Sequence, residues 1–246
     1  LAHRGEHTSA QVGPAKYYIS HTWKYYYSEV LEALENYFEK EEGDVFVYFD
    51  LFCNDPKVTM SATDHINTVA KFEQVVHVLC DLKNPVPFTS ARCLLDVFLA
   101  PTMDIAMRKN GMESTLIKDL TDGNHMSYLA AIDDIDIKDC NTYRGSQEDL
   151  DFVMSKFIDT PEAYRAFNRR VKDSYVQAWI IDTMSNTIET IDLDQDDAIK
   201  NADINYTEHI MVSRLEALSL LYKDLGRIDE ALEIRMKCLS LQTKVY

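Results

Sequence analysis

Val86-Pro87-Phe88-Thr89-Ser90-Ala91-Arg92-Cys93-Leu94-Leu95-Asp96-Val97-Phe98 follows the run Gln74-Val75-Val76-His77-Val78-Leu79-Cys80-Asp81, and the two together decide the fold. The earlier run reads as a buried strand. Prolines then break the chain, and Thr89 or Ser90 can cap a helix whose apolar face is Leu94, Leu95, Val97 and Phe98. Cys93 and Asp96 lie three apart and are neighbours on that helix. The unit is a strand, a loop and a helix with a carboxylate in its second turn. In a parallel α/β sheet, ligands collect where strands end and helices begin, so Asp96 is the first candidate site residue.

The same alternation extends in both directions. Residues 1–15 are polar and carry Gly and Pro, which reads as a loose tail. Residues 16–20 form a first strand, 21–26 an aromatic loop, and 27–40 a helix with apolar residues at helical spacing. Residues 45–49 are a continuous apolar run, the pattern of a strand covered on both faces, with 50–56 as the loop at its end. A helix over 61–72 leads to the third strand at 75–80. A fourth strand is expected at 103–107, helices within 113–131 broken near Gly123, and a short edge strand at 135–140. Residues 147–158 and 161–181 read as helical, with Pro161 suited to a first turn. This order predicts an α/β fold with a doubly wound, flavodoxin-like parallel sheet over 16–182. An acidic linker follows at 183–207. Residues 208–246 begin a helical-repeat region, with a helix–turn–helix whose turn is Leu225-Gly226-Arg227-Ile228.

Composition bounds the function. The 246 residues are 46% hydrophobic and 11% aromatic, which supports a packed core. Formal net charge is −16, from 25 basic and 41 acidic residues, so a general nucleic-acid or anionic-membrane surface is not expected. Five scattered cysteines without a CxxC pair predict reduced thiols in a cytoplasmic protein, and Cys80 and Cys93 read as small core residues. No apolar run is long enough for a membrane span, and no signal peptide is evident. The chain begins without Met and ends on a helical pattern, as a fragment would. There is no Walker loop, no GxGxxG and no metal-ligand spacing of histidines. Asp192-x-Asp194-x-Asp196 lacks the glycine of a calcium loop and reads as a solvated acidic linker.

Three short segments, Ile19-Ser20-His21-Thr22-Trp23, Tyr48-Phe49-Asp50-Leu51-Phe52-Cys53-Asn54 and Arg92-Cys93-Leu94-Leu95-Asp96, together resemble the TIR-like (Toll/interleukin-receptor-like) domain. The form most similar is the divergent eukaryotic one that precedes tetratricopeptide repeats. Ile135-Asp136-Ile137 and Ala166-Phe167-Asn168-Arg169 with Trp179 resemble its tail, and the likeness spans roughly residues 16–182. Residues 212–245 resemble one tetratricopeptide repeat of the kinesin-light-chain type, with Tyr222, Gly226 and Ala231 matching and Arg235 where an aromatic is usual.

The resemblance implies two functions. Many TIR domains signal by self-association, which would make this a signalling or scaffold module whose partners are other protein chains. Others cleave NAD at the nicotinamide–ribose bond with a glutamate in a Trp-Cys-x-x-Glu setting. Here that setting is Arg92-Cys93-Leu94-Leu95-Asp96, so an NAD nucleosidase would use Asp96, with NAD as substrate and no other cofactor. Such a transition state needs a carboxylate placed at the ångström level, and aspartate is one methylene shorter. Ser20, His21 and Trp23 after the first strand and Asp81 after the third are the candidate ligand-binding residues. The plainer alternatives are that Asp96 is a helix-surface carboxylate or a structural partner of Arg92 four residues earlier, and that His21 and Trp23 belong to an aromatic loop that packs on the domain or on a partner. Replacement of the glutamate favours the scaffold reading.

Overall fold

The computed structural model describes residues 13–53, 61–82, 85–108, 112–140, 151, 154–186, 188 and 204–245. Four strands, β1 (Tyr17–Ser20), β2 (Val47–Phe49), β3 (Gln74–Leu79) and β4 (Thr102–Met107), form one all-parallel sheet in the order β2-β1-β3-β4. Around them run α1 (Tyr27–Phe38), the short α2 (Asp50–Cys53), α3 (Ala62–Val69) and α4 (Ala91–Leu99). The expected central first strand with the second beside it is what forms, and the class is mixed α/β.

Strand periodicity sorts the core into two layers. Tyr17, Ile19, Val76, Val78 and Ala106 pack with Val30, Ala33 and Leu34 of α1 on one face. Tyr18 and Val75 point the other way, where they cluster with Val69 of α3 and Ala100 beyond α4. Each fully buried aliphatic side chain stabilises the fold by roughly 1.5–3 kcal/mol. Local chemistry starts the helices. Ser61 accepts from the Asp64 N–H at the head of α3, and Ser90 accepts from the Cys93 N–H at the head of α4.

Three expectations are corrected. The 45–49 strand shortens to Val47–Phe49 and, among the described residues, is an edge strand paired with β1 alone, and the loop expected from Asp50 begins as α2. The edge strand expected at 135–140 is instead a 3₁₀ turn at Ile137–Asp139. Its alternation is real, since Ile135 and Ile137 are both buried, but its polar groups are met by side chains. The Ile137 N–H donates to Asn168, and Asp136 accepts from the Lys138 N–H. The linker expected over 183–207 is helical at its two ends, through 186 and from Ile204; residues 189–203, including the calcium-like Asp192–Asp196 stretch, lie outside the described residues.

The chain divides into two units: residues 1–112 with 135–174, and residues 113–134 with 175–246. The sequence had suggested a boundary at 182. The division falls instead where α7 (Pro161–Tyr175) gives way to a π-helical stretch, Val176–Ile181. In the first unit α7 seals the end of α4. Phe167 stacks on Phe98 at 4.5 Å, and Arg170 donates to the carbonyls of Phe98 and Ala100, which have no partner within α4 itself.

The second unit contains α5 (Met112–Thr121) from Glu113 onward, α6 (His125–Asp133), the π-helical stretch, α8 (Ile204–Asp224) and α9 (Ile228–Val245). Trp179 of the π-helical stretch meets Tyr128 of α6 edge-on at 5.4 Å, and His125 pairs with Asp224 at 2.8 Å. Helices α8 and α9 form an antiparallel hairpin, as the pairs Ser219–Ala231 and Val212–Cys238 require. Its turn is where the sequence put it. The Arg227 N–H reaches the Tyr222 carbonyl and the Gly226 N–H the Lys223 carbonyl, closing a Schellman motif with Gly226 at φ +74°. Leu218 and Ala231 are buried, whereas Tyr222 is half-buried beneath the Arg227 guanidinium. Gly226→Ala meets no steric clash but must hold a left-handed backbone. It should lower stability by about 1 kcal/mol in urea unfolding, and an unchanged midpoint would refute the turn assignment.

Candidate functional site

β1 and β3 are the neighbouring central strands at which the sheet reverses its winding, and their carboxyl ends are where a doubly wound sheet places a ligand. The residues there sort by parity. Ser20 continues the face of Tyr18, and His77 the face of Val75; the two are cross-strand partners in register. Both therefore point into the layer covered by α3 and α4, towards His65 and Asp96.

These four residues form a sealed polar cluster. Asp96 is 2% exposed, and Ser20, His65 and His77 are equally buried. The Ser20 hydroxyl donates to Asp96 Oδ2 at 2.7 Å, and His65 Nε2 lies 2.6 Å from Oδ1. Arg92 Nη2 is 3.1 Å from His65 Nδ1. A guanidinium can only donate, so Nδ1 accepts and the proton of a neutral His65 sits on Nε2, directed at Asp96. His77 Nδ1 lies 3.0 Å from the Ser20 oxygen and donates to it, because the serine proton is already committed to the carboxylate.

This wiring differs from that of a nucleophile. In a Ser-His-Asp triad the histidine stands between serine and carboxylate and takes the serine proton. Here the serine stands between histidine and carboxylate, and His77 offers it a proton. Burial lowers the His77 pKa to about 4, only partly opposed by the Asp96 charge. Cys93 is equally inert: burial, and then the Asp96 charge, push its thiol up to about 12.

One layer outward lies the mouth. His21 donates from Nε2 to Asp50 Oδ1 at 2.8 Å, and Arg92 reaches Asp50 Oδ2 at 4.0 Å. Burial alone would raise the Asp50 pKa, but the His21 hydrogen bond and the nearby positive charges hold it below the usual carboxylate value. The His21 ring packs edge-on against Phe49 at 4.8 Å and lies 5.4 Å from Trp23. A small, shallow pocket, open to solvent, is lined by His21, Thr22, Trp23, Lys24, Val86, Thr89, Ser90 and Arg92.

The sequence candidates are thus divided. His21 and Trp23 line the pocket. Ser20 and Asp96 lie beneath it. Asp81 is exposed beyond β3 and is not part of the pocket wall. Asp96 is buried, not on the helix surface, and its charge acts on Arg92 directly as well as through His65, as a structural partner would. No family model, curated protein or solved structure matches this chain. The site therefore rests on its own geometry.

Sequence reading missed His65, His77 and the pairing of Asp50. The signal for His77 was present: one histidine within an otherwise apolar strand has to find a buried polar partner.

Two measurements check the cluster. Asp96→Ala strands the Ser20 and His65 donors in the interior and should cost about 3 kcal/mol in urea unfolding; a loss near zero would refute the network. The second is pH dependence. The unfolded chain protonates His77 below its ordinary value of 6.5, while the folded chain resists until about 4. Stability is full above that window and falls as pH drops through it, by up to ~3 kcal/mol from this residue. His77→Gln, whose amide can still donate to Ser20, should flatten that slope; an unchanged slope would assign it elsewhere.

Proposed function

We propose that this chain is a cytoplasmic signalling or scaffold module: a TIR-like, flavodoxin-like α/β unit that self-associates, followed by a tetratricopeptide-type hairpin that contributes to binding other protein chains. One observation carries the non-catalytic side of this reading. The pocket beside the switch point has no carboxylate in its wall. Asp96, which the NAD-cleaving alternative needs at the reacting ribose, has both oxygens bound to Ser20 and His65 under that wall. To act on a sugar in the pocket it would have to leave two buried hydrogen bonds and pass Arg92. The cytoplasmic assignment draws on five cysteines, all free. Among the described residues, no helix is long and apolar enough to cross a membrane.

A ligand-binding reading keeps one supporting observation. Trp23 and His21 offer rings, and Lys24 and Arg92 offer cations, around the same pocket. That set suits a ligand with a flat ring and a negative charge, and NAD has both. Binding without cleavage is compatible with the scaffold reading; turnover is not.

The test is nicotinamide release from NAD by concentrated protein, with Asp96→Glu and Asp96→Ala alongside and folding of each checked by circular dichroism. The parent should show no release above the Asp96→Ala background. Robust turnover by the parent, lost in a folded Asp96→Ala, would establish the nucleosidase instead.

A further inference from the structure

The bond between Arg92 and His65 can exist in only one protonation state. Arg92 Nη2 donates to Nδ1 at 3.1 Å, and the ring's own proton is on Nε2, directed at Asp96 Oδ1 at 2.6 Å. A proton added at Nδ1 removes the acceptor and sets an imidazolium N–H against a guanidinium N–H. The guanidinium stays charged at every accessible pH, so the two cations then repel and the bond is lost.

A second acceptor stands close to the same nitrogen. Arg92 Nη2 is 4.0 Å from Asp50 Oδ2, beyond hydrogen-bond reach. His21 holds the other oxygen, Oδ1, at 2.8 Å, which leaves Oδ2 for the guanidinium. Burial opposes the Asp50 charge, but the His21 hydrogen bond and nearby cations outweigh it, so Asp50 stays anionic wherever a histidine titrates. A shift of roughly 1 Å therefore exchanges a neutral acceptor for a charged one. We propose that His65 is a proton-operated latch on Arg92: with Nδ1 bare it holds the guanidinium to α3, and with Nδ1 protonated it releases the guanidinium to Asp50 of α2.

The groups that face His65 suit this exchange. They are Asp96 and Arg92 of α4 and Tyr18 of β1, whose ring lies 6.1 Å away, with Asp50 of α2 acting at longer range. Burial keeps Tyr18 neutral, and His77 of β3 acts only through Ser20 and Asp96. On α3 itself, Asp64 is exposed and takes the Ser61 hydroxyl. The buried Asp96 carboxylate calls for one positive charge nearby. Arg92 supplies it in the first state, and the His65 imidazolium, in direct contact, supplies it in the second. Arg92 also lines the pocket, with its side chain 34% exposed, so a proton taken up in the sealed layer changes what holds the cation at the mouth. The latch needs neither catalysis nor self-association, and it stands apart from the scaffold reading.

The experiment follows the full chain between about pH 8 and about pH 5. Long-range proton–nitrogen correlation spectra report which ring nitrogen of His65 carries a proton, crystal structures at the two pH values locate Arg92, and circular dichroism checks the fold. At the higher pH, Nδ1 should be bare with Arg92 upon it. At the lower pH, Nδ1 should be protonated and the guanidinium should lie within hydrogen-bond distance of Asp50 and not of His65. In His65→Gln, whose amide can still donate to Asp96 and accept from Arg92 but cannot titrate, Arg92 should hold one position at both pH values. Should that variant fail to fold, the spectra and structures of the parent decide alone. An Nδ1 that stays bare while the chain remains folded at the lower pH overturns the latch. So does an Arg92 that keeps its place beside a protonated His65. Movement of Arg92 in His65→Gln would assign the proton to another group, such as His21, and overturns it too.

Discussion

The Asp96 carboxylate is the point on which the α/β unit closes. One oxygen takes the proton of Ser20 at the end of β1, and the other takes that of His65 on α3, while Asp96 itself rides on α4. A buried charge is tolerated only when its lone pairs are occupied, and here the occupants come from three separate elements. The cluster therefore fixes the depth at which α3 and α4 sit on the sheet. Arg92 fixes which nitrogen of His65 carries the proton, and Ser20 does the same for His77.

That closure separates two layers that a linear reading merges. Residues on the inward face of β1 and β3 are spent on cohesion, whereas the chain just beyond β1 turns outward. Trp23 and Arg92 thereby reach the pocket mouth, while the His21 side chain, only 6% exposed, is held beneath them by Asp50 at the head of α2. The pocket offers rings and cations, and the carboxylate beneath it is already engaged. Chemistry that depends on a free carboxylate is opposed by the same bonds that hold the unit together.

The second unit relies on different physics. Its hairpin turns on a left-handed glycine and two backbone hydrogen bonds, with a guanidinium laid over a tyrosine ring. The inward face of α9 is covered by α8, and Ile228, Leu232, Met236 and Leu239 are exposed along another face.

Periodicity and turn chemistry made much of this legible in advance. The apolar runs of β1 and β3, the serine caps of α3 and α4, and the glycine turns at Gly123 and Gly226 act within a few residues, so local spacing is enough to find them. Ile135-Asp136-Ile137 shows the limit of that method, because alternation says which side chains are buried and not whether a neighbouring strand exists to pair with. The role of Asp96 lay further out of reach. Its partners are 76 and 31 residues away, and only the packing of α3 and α4 onto one face of the sheet brings them to it. The sequence by itself determined that a carboxylate would follow the third strand in the second turn of a helix, because capping and helical spacing are local. Tertiary structure alone decided that this carboxylate faces inward and is shared by a serine and a histidine, because burial and hydrogen-bond partnership belong to the assembled layers and not to any one stretch of chain.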